Sequence, residues 1–309
     1  MDNQQKNHLT ISLVGEPNAG KSTLTNSLVG QKIVITSPKP QTTRNSIKAI
    51  AIHNNSQLIF IDTPGLFIPK QDRLLERIIV KSAWQGLRSS DLVAFVFDSS
   101  CQFSSRTIKI LEEIKKENIP TIIIINKIDL VKKSKLLEII AKFAEMQFSE
   151  ILMISAKNND GIEQLLNLFA SNANKLGWQF DEDQISDAPI RFLATEITRE
   201  KLFIYLNDEL PYSLTVKNVN YQILDNGDIK IHQDILVQKE SHKKIILGKN
   251  GSLIKKIGQE SRMDIAKITN SKVHLYLFVK VKDDWMNSSE NYEIIDIDKL
   301  PNKAKNHNK

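Results

Sequence analysis

The stretch Gly15-Glu16-Pro17-Asn18-Ala19-Gly20-Lys21-Ser22 follows directly on the apolar run Ile11 to Val14. It fits G-x-x-x-x-G-K-[ST] between a strand pattern and a helix pattern, KSTLTNSLVG (21–30), which is the setting that gives the motif its meaning. Backbone N–H groups of such a loop point inward and cradle a β-phosphate. Lys21 then reaches the β- and γ-phosphates, the Ser22 hydroxyl is placed to coordinate Mg²⁺, and the helix start, with Thr23, adds a favourable dipole. This one stretch commits the first part of the chain to a strand–loop–helix unit that holds a nucleotide.

The surrounding pattern agrees. Strands are predicted at 9–15, 45–54, 56–65, 91–98, 121–127 and 150–156, with helical patterns between most of them, as in TIKILEEIKKEN and KLLEIIAKFAEM. Apolar strands alternating with helices predict an α/β fold with a mostly parallel sheet and helices on both faces. The Asn54-Asn55 pair predicts a hairpin and one antiparallel edge. A helix is expected over 163–176, ending at Gly177. The acidic stretch WQFDEDQISDAP (178–189) reads as a linker.

A different order follows. A helix is expected over 190–208, then strands YSLTVKNVNYQIL and GDIKIHQDILVQ joined across Asp225-Asn226-Gly227, then two short helices around GKNG (248–251) and a strand over 272–282. The order α-β-β-α-α-β is that of an α+β domain. The division expected is 1–177, a linker 178–189, a second domain 190–285, and a tail 286–309; from Asp283 the chain is polar and expected to fray.

Composition narrows the setting. The chain of 309 residues suits two domains. Its single cysteine, Cys101, permits no internal disulfide and fits a reducing cytosol. The start MDNQQKNHLT has no signal-peptide core, and the aliphatic run Ile122 to Ile125 is far short of the roughly 20 residues that a membrane helix needs. The net charge of +6 is local: residues 238–272 hold nine Lys/Arg against three Asp/Glu, and the rest is balanced. Such a patch favours a polyanion, either nucleic acid or an anionic membrane surface, unless it is a solvated helix face.

Three further motifs fall at strand ends. Asp62-Thr63-Pro64-Gly65 supplies a carboxylate for Mg²⁺ and a glycine whose N–H can approach a γ-phosphate. Asn126-Lys127-Ile128-Asp129 selects the base, because the Asp129 carboxylate can accept from N1–H and N2–H₂ of guanine and adenine offers neither. Charge-assisted bonds of this kind are worth about 1.5–3 kcal/mol each. Asn126 would bridge to the phosphate loop, the Lys127 stem would cover the base, and Ser155-Ala156-Lys157 would offer a backbone N–H to guanine O6. After Asp62-Thr63-Pro64-Gly65 comes Leu66, where a glutamine would orient the attacking water, so slow unaided hydrolysis is expected.

Residues 245–257, IILGKNGSLIKKI, resemble the I-I-x-G-x-x-G-x-x-I-K-x-I pattern of a KH domain of type II. The two glycines let a helix–helix turn press on a sugar–phosphate backbone beside a groove for about four unpaired bases. Gly248, Lys249, Asn250 and Gly251, with Lys243, Lys244, Lys255 and Lys256, are the candidate RNA-binding residues. Asn250 stands where a small or basic residue is more usual.

The series GEPNAGKS, QTTRN (41–45), DTPG, NKID and SAK resembles the five guanine-nucleotide motifs of translation-factor-like GTPases. With PKPQTTR, DELPYSLTV (208–216) and GKNG, the chain resembles the Era family of ribosome-assembly GTPases over roughly 8–285. The resemblance implies GTP and GDP as ligands and Thr43 as the threonine that meets Mg²⁺ and the γ-phosphate, with Thr42 the alternative. It makes Lys21 and Thr43 the candidate catalytic residues and Ser22, Thr43 and Asp62 the candidate Mg²⁺ ligands. It implies that Asn18 either holds a K⁺ near the phosphates or only supports the turn. It further implies a cytoplasmic monomer that binds the 3′ end of 16S rRNA and the 30S subunit, with peripheral contact to the inner membrane. Two alternatives stay open: a membrane-surface regulator of growth or cell cycle, and an RNA-binding module with a structural GTP.

Overall fold

The computed structural model describes residues 6–37, 39, 42–67, 69, 74–283 and 285. The amino-terminal unit is built from β1 (Asn7–Val14), α1 (Lys21–Val29), β2 (Ile47–His53), β3 (Ser56–Asp62), α2 (Leu74–Arg88), β4 (Leu92–Asp98), α3 (Ser105–Lys116), β5 (Thr121–Asn126), α4 (Lys133–Glu145), β6 (Ile151–Met153), α5 (Ile162–Ser171) and β7 (Lys175–Leu176). The sheet runs β2-β3-β1-β4-β5-β6, with β7 added on β1. β1, β3, β4, β5 and β6 are parallel, and β2 lies antiparallel to β3. Asn54 and Asn55 make that hairpin at φ 46° and 62°, which asparagine tolerates better than a branched residue would.

Both faces of this sheet are covered, so its strands can be apolar throughout. The isoleucine run of β5 divides cleanly. Ile122 and Ile124 join a core with Ile11, Leu24 and Phe169 on the α1/α5 side; Ile123 and Ile125 join one with Phe95, Leu111 and Phe143 on the α3/α4 side. All four are at most 1% exposed, and burial at that level stabilises by about 1.5–3 kcal/mol per side chain. The carboxyl ends of β1, β3, β5 and β6 lead into the four motif loops.

Two expectations change here. The helix predicted to reach residue 176 stops at Ser171, and Lys175–Leu176 pair antiparallel with Asn7–His8. The start of β1 extends beyond its pairing with β4, which begins at Ile11, and β7 fills that vacancy. Helix α2 carries no sequence pattern assigned above.

The carboxy-terminal unit comprises α6 (Ile190–Tyr205), β8 (Leu214–Ile223), β9 (Ile229–Val237), α7 (Glu240–Leu247), α8 (Ser252–Thr269) and β10 (Val273–Val281). Its sheet runs β10-β9-β8, with β9 and β10 parallel and β8 antiparallel to β9. The second of the two expected short helices is 18 residues long. Trp285 is 1% exposed, so the chain stays packed past Asp283, where fraying was expected. The tail 286–309 lies outside the described residues, as do Pro38, Pro40 and Gln41 of the PKPQTTR stretch.

Helix α6 is buried along almost its whole length, because its own sheet covers one side and Lys32, Thr36, Lys39 and Arg44 of the first unit lie against it. The Glu200 carboxylate accepts from the Thr36 backbone N–H at 2.9 Å and pairs with Lys32. Lys39 donates to the carbonyls of Phe203 and Leu206. Arg44, 8% exposed, donates to the carbonyls of Leu214 at 2.9 Å and Pro211 at 3.3 Å.

Candidate nucleotide site and basic hairpin

The phosphate loop needs its glycines for space. Gly20 sits at φ 95° as the residue before α1, and a Cβ there would lie 2.3 Å from Asn126 Nδ2. Gly65 passes so close to Pro17 that a Cβ would meet its backbone nitrogen at 2.7 Å. A side chain at either position would force two motif loops apart.

Within the loop, Lys21 donates to the carbonyls of Gly15 (3.1 Å) and Glu16 (3.0 Å). Burial lowers its pKa to about 8, against the opposing pull of Asp62 and Glu16. Ser22 Oγ donates to Asp62 Oδ2 at 2.8 Å and lies 2.8 Å from Thr43 Oγ1, which reaches Asp62 at 3.5 Å. Asp62 is fully buried, and desolvation raises its pKa to about 6 although Ser22, Lys21, Thr25 and Thr43 all favour the charged form. A desolvated carboxylate converging with two hydroxyls is an oxygen-only donor set, which fits a hard divalent cation such as Mg²⁺. Of the threonine pair, Thr43 faces this cluster; Thr42 turns to Ser37 and the Lys39 carbonyl.

Thr63 Oγ1 donates to the Leu13 carbonyl at 2.7 Å, and the Leu66 N–H donates to the Gly15 carbonyl at 2.9 Å. The Leu66 side chain is 2% exposed and packs in the core with Val14 and Phe95.

The base-side residues interlock. Asn126 Nδ2 donates to the Ala19 carbonyl at 2.9 Å, and its Oδ1 accepts from the Ala156 N–H at 3.0 Å. Lys127, at φ 63°, donates to the Asn18 carbonyl (2.7 Å) and pairs with Asp98 at 2.6 Å. Asp129 accepts from Ser155 Oγ at 2.6 Å, and the Ile128 N–H donates to the Ile154 carbonyl. Lys157 is exposed at the end of the same loop. A cavity of about 290 Å³ is lined by Pro17, Asn18, Gly20 to Thr23, Ile35 to Ser37, Thr42, Thr43, Gly65 and Lys127.

Sequence reasoning missed Asp98, Thr25 and the Ile35–Ser37 wall. Asp98 had a signal, since it ends an apolar strand at the same sheet edge as Asp62. Its carboxyl is held below the ordinary range by Lys127 and Ser100, which outweigh partial burial. Ile35 to Ser37 had none, because their place depends on contacts with α6 far along the chain, as between Thr36 and Glu200.

In the second unit, α7 ends at Gly248 and α8 starts after Gly251. Gly248 (φ 71°), Asn250 (φ 53°) and Gly251 (φ 76°) all take positive φ, a conformation asparagine tolerates, which accounts for Asn250 here. Lys244, Lys249, Asn250, Lys255 and Lys256 are exposed and Lys243 is half-buried, while Ile246 and Ile257 anchor the two helices in the core. The structure therefore gathers the basic candidates on one hairpin, apart from the phosphate loop.

Comparison with known proteins gives the same two units. A family model described as 50S ribosome-binding GTPase matches residues 10–127, and a KH domain model matches 209–286. GTPase Era of Afipia carboxidovorans is 42% identical over 283 residues, 91% of each chain. GTPase Era of Rickettsia bellii is 42% identical over 299 residues, 96% of this chain and 100% of that one. A crystal structure of Era in complex with MgGDPNP and nucleotides 1506–1542 of 16S ribosomal RNA has a TM-score of 0.89 at 34% identity, covering 94% of this chain and 98% of that one. With likeness of this depth running through both units and across the junction between them, the chain belongs to the GTPase Era family.

Proposed function

We propose that this chain hydrolyses GTP to GDP and phosphate and binds the 3′ end of 16S rRNA during small-subunit assembly, with the nucleotide state setting the grip on RNA. One observation carries the coupling. Thr43 lies within hydrogen-bond reach of Ser22 and Asp62, and the next residue, Arg44, is bonded to backbone carbonyls of the second unit. A γ-phosphate that fixes Thr43 thereby fixes the contact of Arg44 with Pro211 and Leu214.

In this reading the loop Gly15 to Thr23 and Lys21 clamp the phosphates, Ser22, Thr43 and Asp62 hold Mg²⁺, and Asp129, with Asn126 and Ala156 beside it, selects guanine. The bound ion neutralises charge that develops on the phosphate oxygens. With Leu66 in the core, hydrolysis without a partner stays on the order of 10⁻⁴ to 10⁻² s⁻¹, as for GTPases that lack outside help. Asn18 lines the cavity, and an amide oxygen is a donor that suits K⁺; faster hydrolysis in K⁺ than in Na⁺ is its test. The hairpin 248–251 grips the RNA backbone.

The deciding experiment measures affinity for a 16S 3′-end oligonucleotide with a non-hydrolysable GTP analogue and with GDP. At least a several-fold difference is expected; equal affinities would make the nucleotide structural. No helix among the described residues is long and apolar enough to cross a membrane. Binding to anionic vesicles in place of RNA would favour the membrane-surface alternative.

A further inference from the structure

The carboxy-terminal sheet has a second face. Ile229, Ile231, Ile235, Val273 and Val279 turn inward to the helices, so the intervening residues of β9 and β10 turn outward. On that outward face His232 stands in register with Tyr276, and Asp234 with Phe278. The His232 ring lies 4.9 Å from that of Tyr276 and 6.2 Å from that of Phe278. Tyr276 and Phe278 are 46% and 50% exposed, the most exposed aromatic side chains among the described residues. The largest exposed aromatic surface is thus concentrated on one strand, two residues apart.

Its surroundings combine lysines and amides with one carboxylate, Asp234. Lys230 Nζ stands 6.0 Å over the Tyr276 ring, and Lys280, more than half exposed, pairs with Asp234 at 2.6 Å. Asn220 and Gln222 of β8 lie in register with His232 and Lys230. Aromatic rings two residues apart on a strand are about 7 Å from each other, enough for each to take one base of an extended strand. Flanking lysines then meet the phosphates between. β10 is an edge strand, with α7 and α8 packed on its inner side, so a strand gripped at the hairpin reaches the outward face by passing that edge.

We propose that the outward face of β9 and β10 is a second surface for single-stranded RNA, on which Tyr276 and Phe278 each stack a base and Lys230 and Lys280 hold the backbone. The site rests on the RNA-binding reading above and extends its footprint beyond the roughly four nucleotides of a GxxG groove.

The test uses the full chain, the double variant Tyr276→Ala/Phe278→Ala, and single-stranded RNA of about 5 and about 12 nucleotides. The double variant is expected to bind the longer RNA about 10- to 100-fold more weakly, to bind the shorter one as the wild type does, and to hydrolyse GTP without RNA at the wild-type rate. Tyr276→Phe is expected to keep the longer footprint, and the fluorescence of Phe278→Trp to be quenched by the longer RNA alone. If the wild type binds both RNAs and the double variant matches it on both, the second surface is overturned while the RNA-binding reading stands. Equal weakening on both lengths also overturns it, because the residues then shape the domain. So does unchanged RNA binding with altered vesicle binding or self-association. A wild type that binds neither RNA overturns both readings.

Discussion

Arg44 donates a hydrogen bond to the Leu214 carbonyl at 2.9 Å across 170 residues of sequence, one peptide bond away from the threonine that meets Ser22 and Asp62. The guanidinium is buried, so its bonds to Leu214 and Pro211 replace water that it has given up. Charge-assisted bonds of this kind are worth about 1.5–3 kcal/mol each when one partner is removed. Arg44→Ala is expected to reduce the ratio of RNA affinities between the GTP-analogue and GDP states towards one, with GTP affinity held within about threefold. RNA titrations in the two nucleotide states measure that ratio.

Asp129 gives a base-specificity prediction. Asp129→Asn removes the charge that accepts from guanine N1–H and N2–H₂ and is expected to weaken GTP binding by about 100-fold or more. The new amide N–H can donate to a carbonyl, so xanthosine triphosphate, with a carbonyl at C2, is expected to bind the variant better than GTP does. Competition calorimetry with the two nucleotides decides this.

A residue in the core constrains catalysis as firmly as one in the cavity. Leu66→Gln would supply the side chain that other GTPases use, yet at a position 2% exposed between Val14 and Phe95. It is expected to lower stability by about 2–4 kcal/mol and leave hydrolysis no faster. Denaturant midpoints and single-turnover rates test both parts; a rate gain would show that the side chain can leave the core.

Asp62 links the site to pH. Its folded pKa of about 6 lies above the ordinary carboxylate value, so the ligand-free fold binds more protons than the unfolded chain between about pH 4 and 6. Stability from this group is therefore full below about pH 4 and is lost as pH rises to about 6. Asp62→Asn abolishes that loss: in the absence of nucleotide the variant is expected to gain on the wild type, by on the order of 1 kcal/mol, as pH goes from 5 to 7. The same change should cost Mg²⁺-dependent nucleotide affinity. Thermal midpoints across pH without and with Mg²⁺ and nucleotide follow both effects.

Legibility in the sequence tracks how local the cause is. The loop from Gly15 to Ser22, the Asn54-Asn55 hairpin and the buried run Ile122–Ile125 depend on neighbours in the chain, and all three stand where the sequence puts them. Asp98 and Thr25 enter the site through partners distant in sequence, Lys127 and Asp62, and periodicity carries no trace of such pairings. The choice between Thr42 and Thr43 is open in the sequence for the same reason: it is settled by contacts with Ser22 on one side and with Ser37 and Lys39 on the other. β7 escaped because two residues are too few to show alternation, and the vacancy they fill belongs to β1.

The segment 178–189 reads as a tether, yet its backbone is laid against the first sheet. The Ile50 N–H donates to the Ile185 carbonyl at 2.9 Å, Asp187 N–H donates to Lys48, Ser186 bridges to Ala49, and the Gln57 side chain accepts from the N–H groups of Gln179 and Phe180. β2 is the outer strand, so Ile185 to Asp187 act as a selvedge that keeps its free side from fraying or joining another chain. Severing the polypeptide after Gly177 would strip that hem, and an isolated nucleotide-binding half would be prone to stick to itself. Lengthening the segment would loosen the hem before it gave the second half any freer swing.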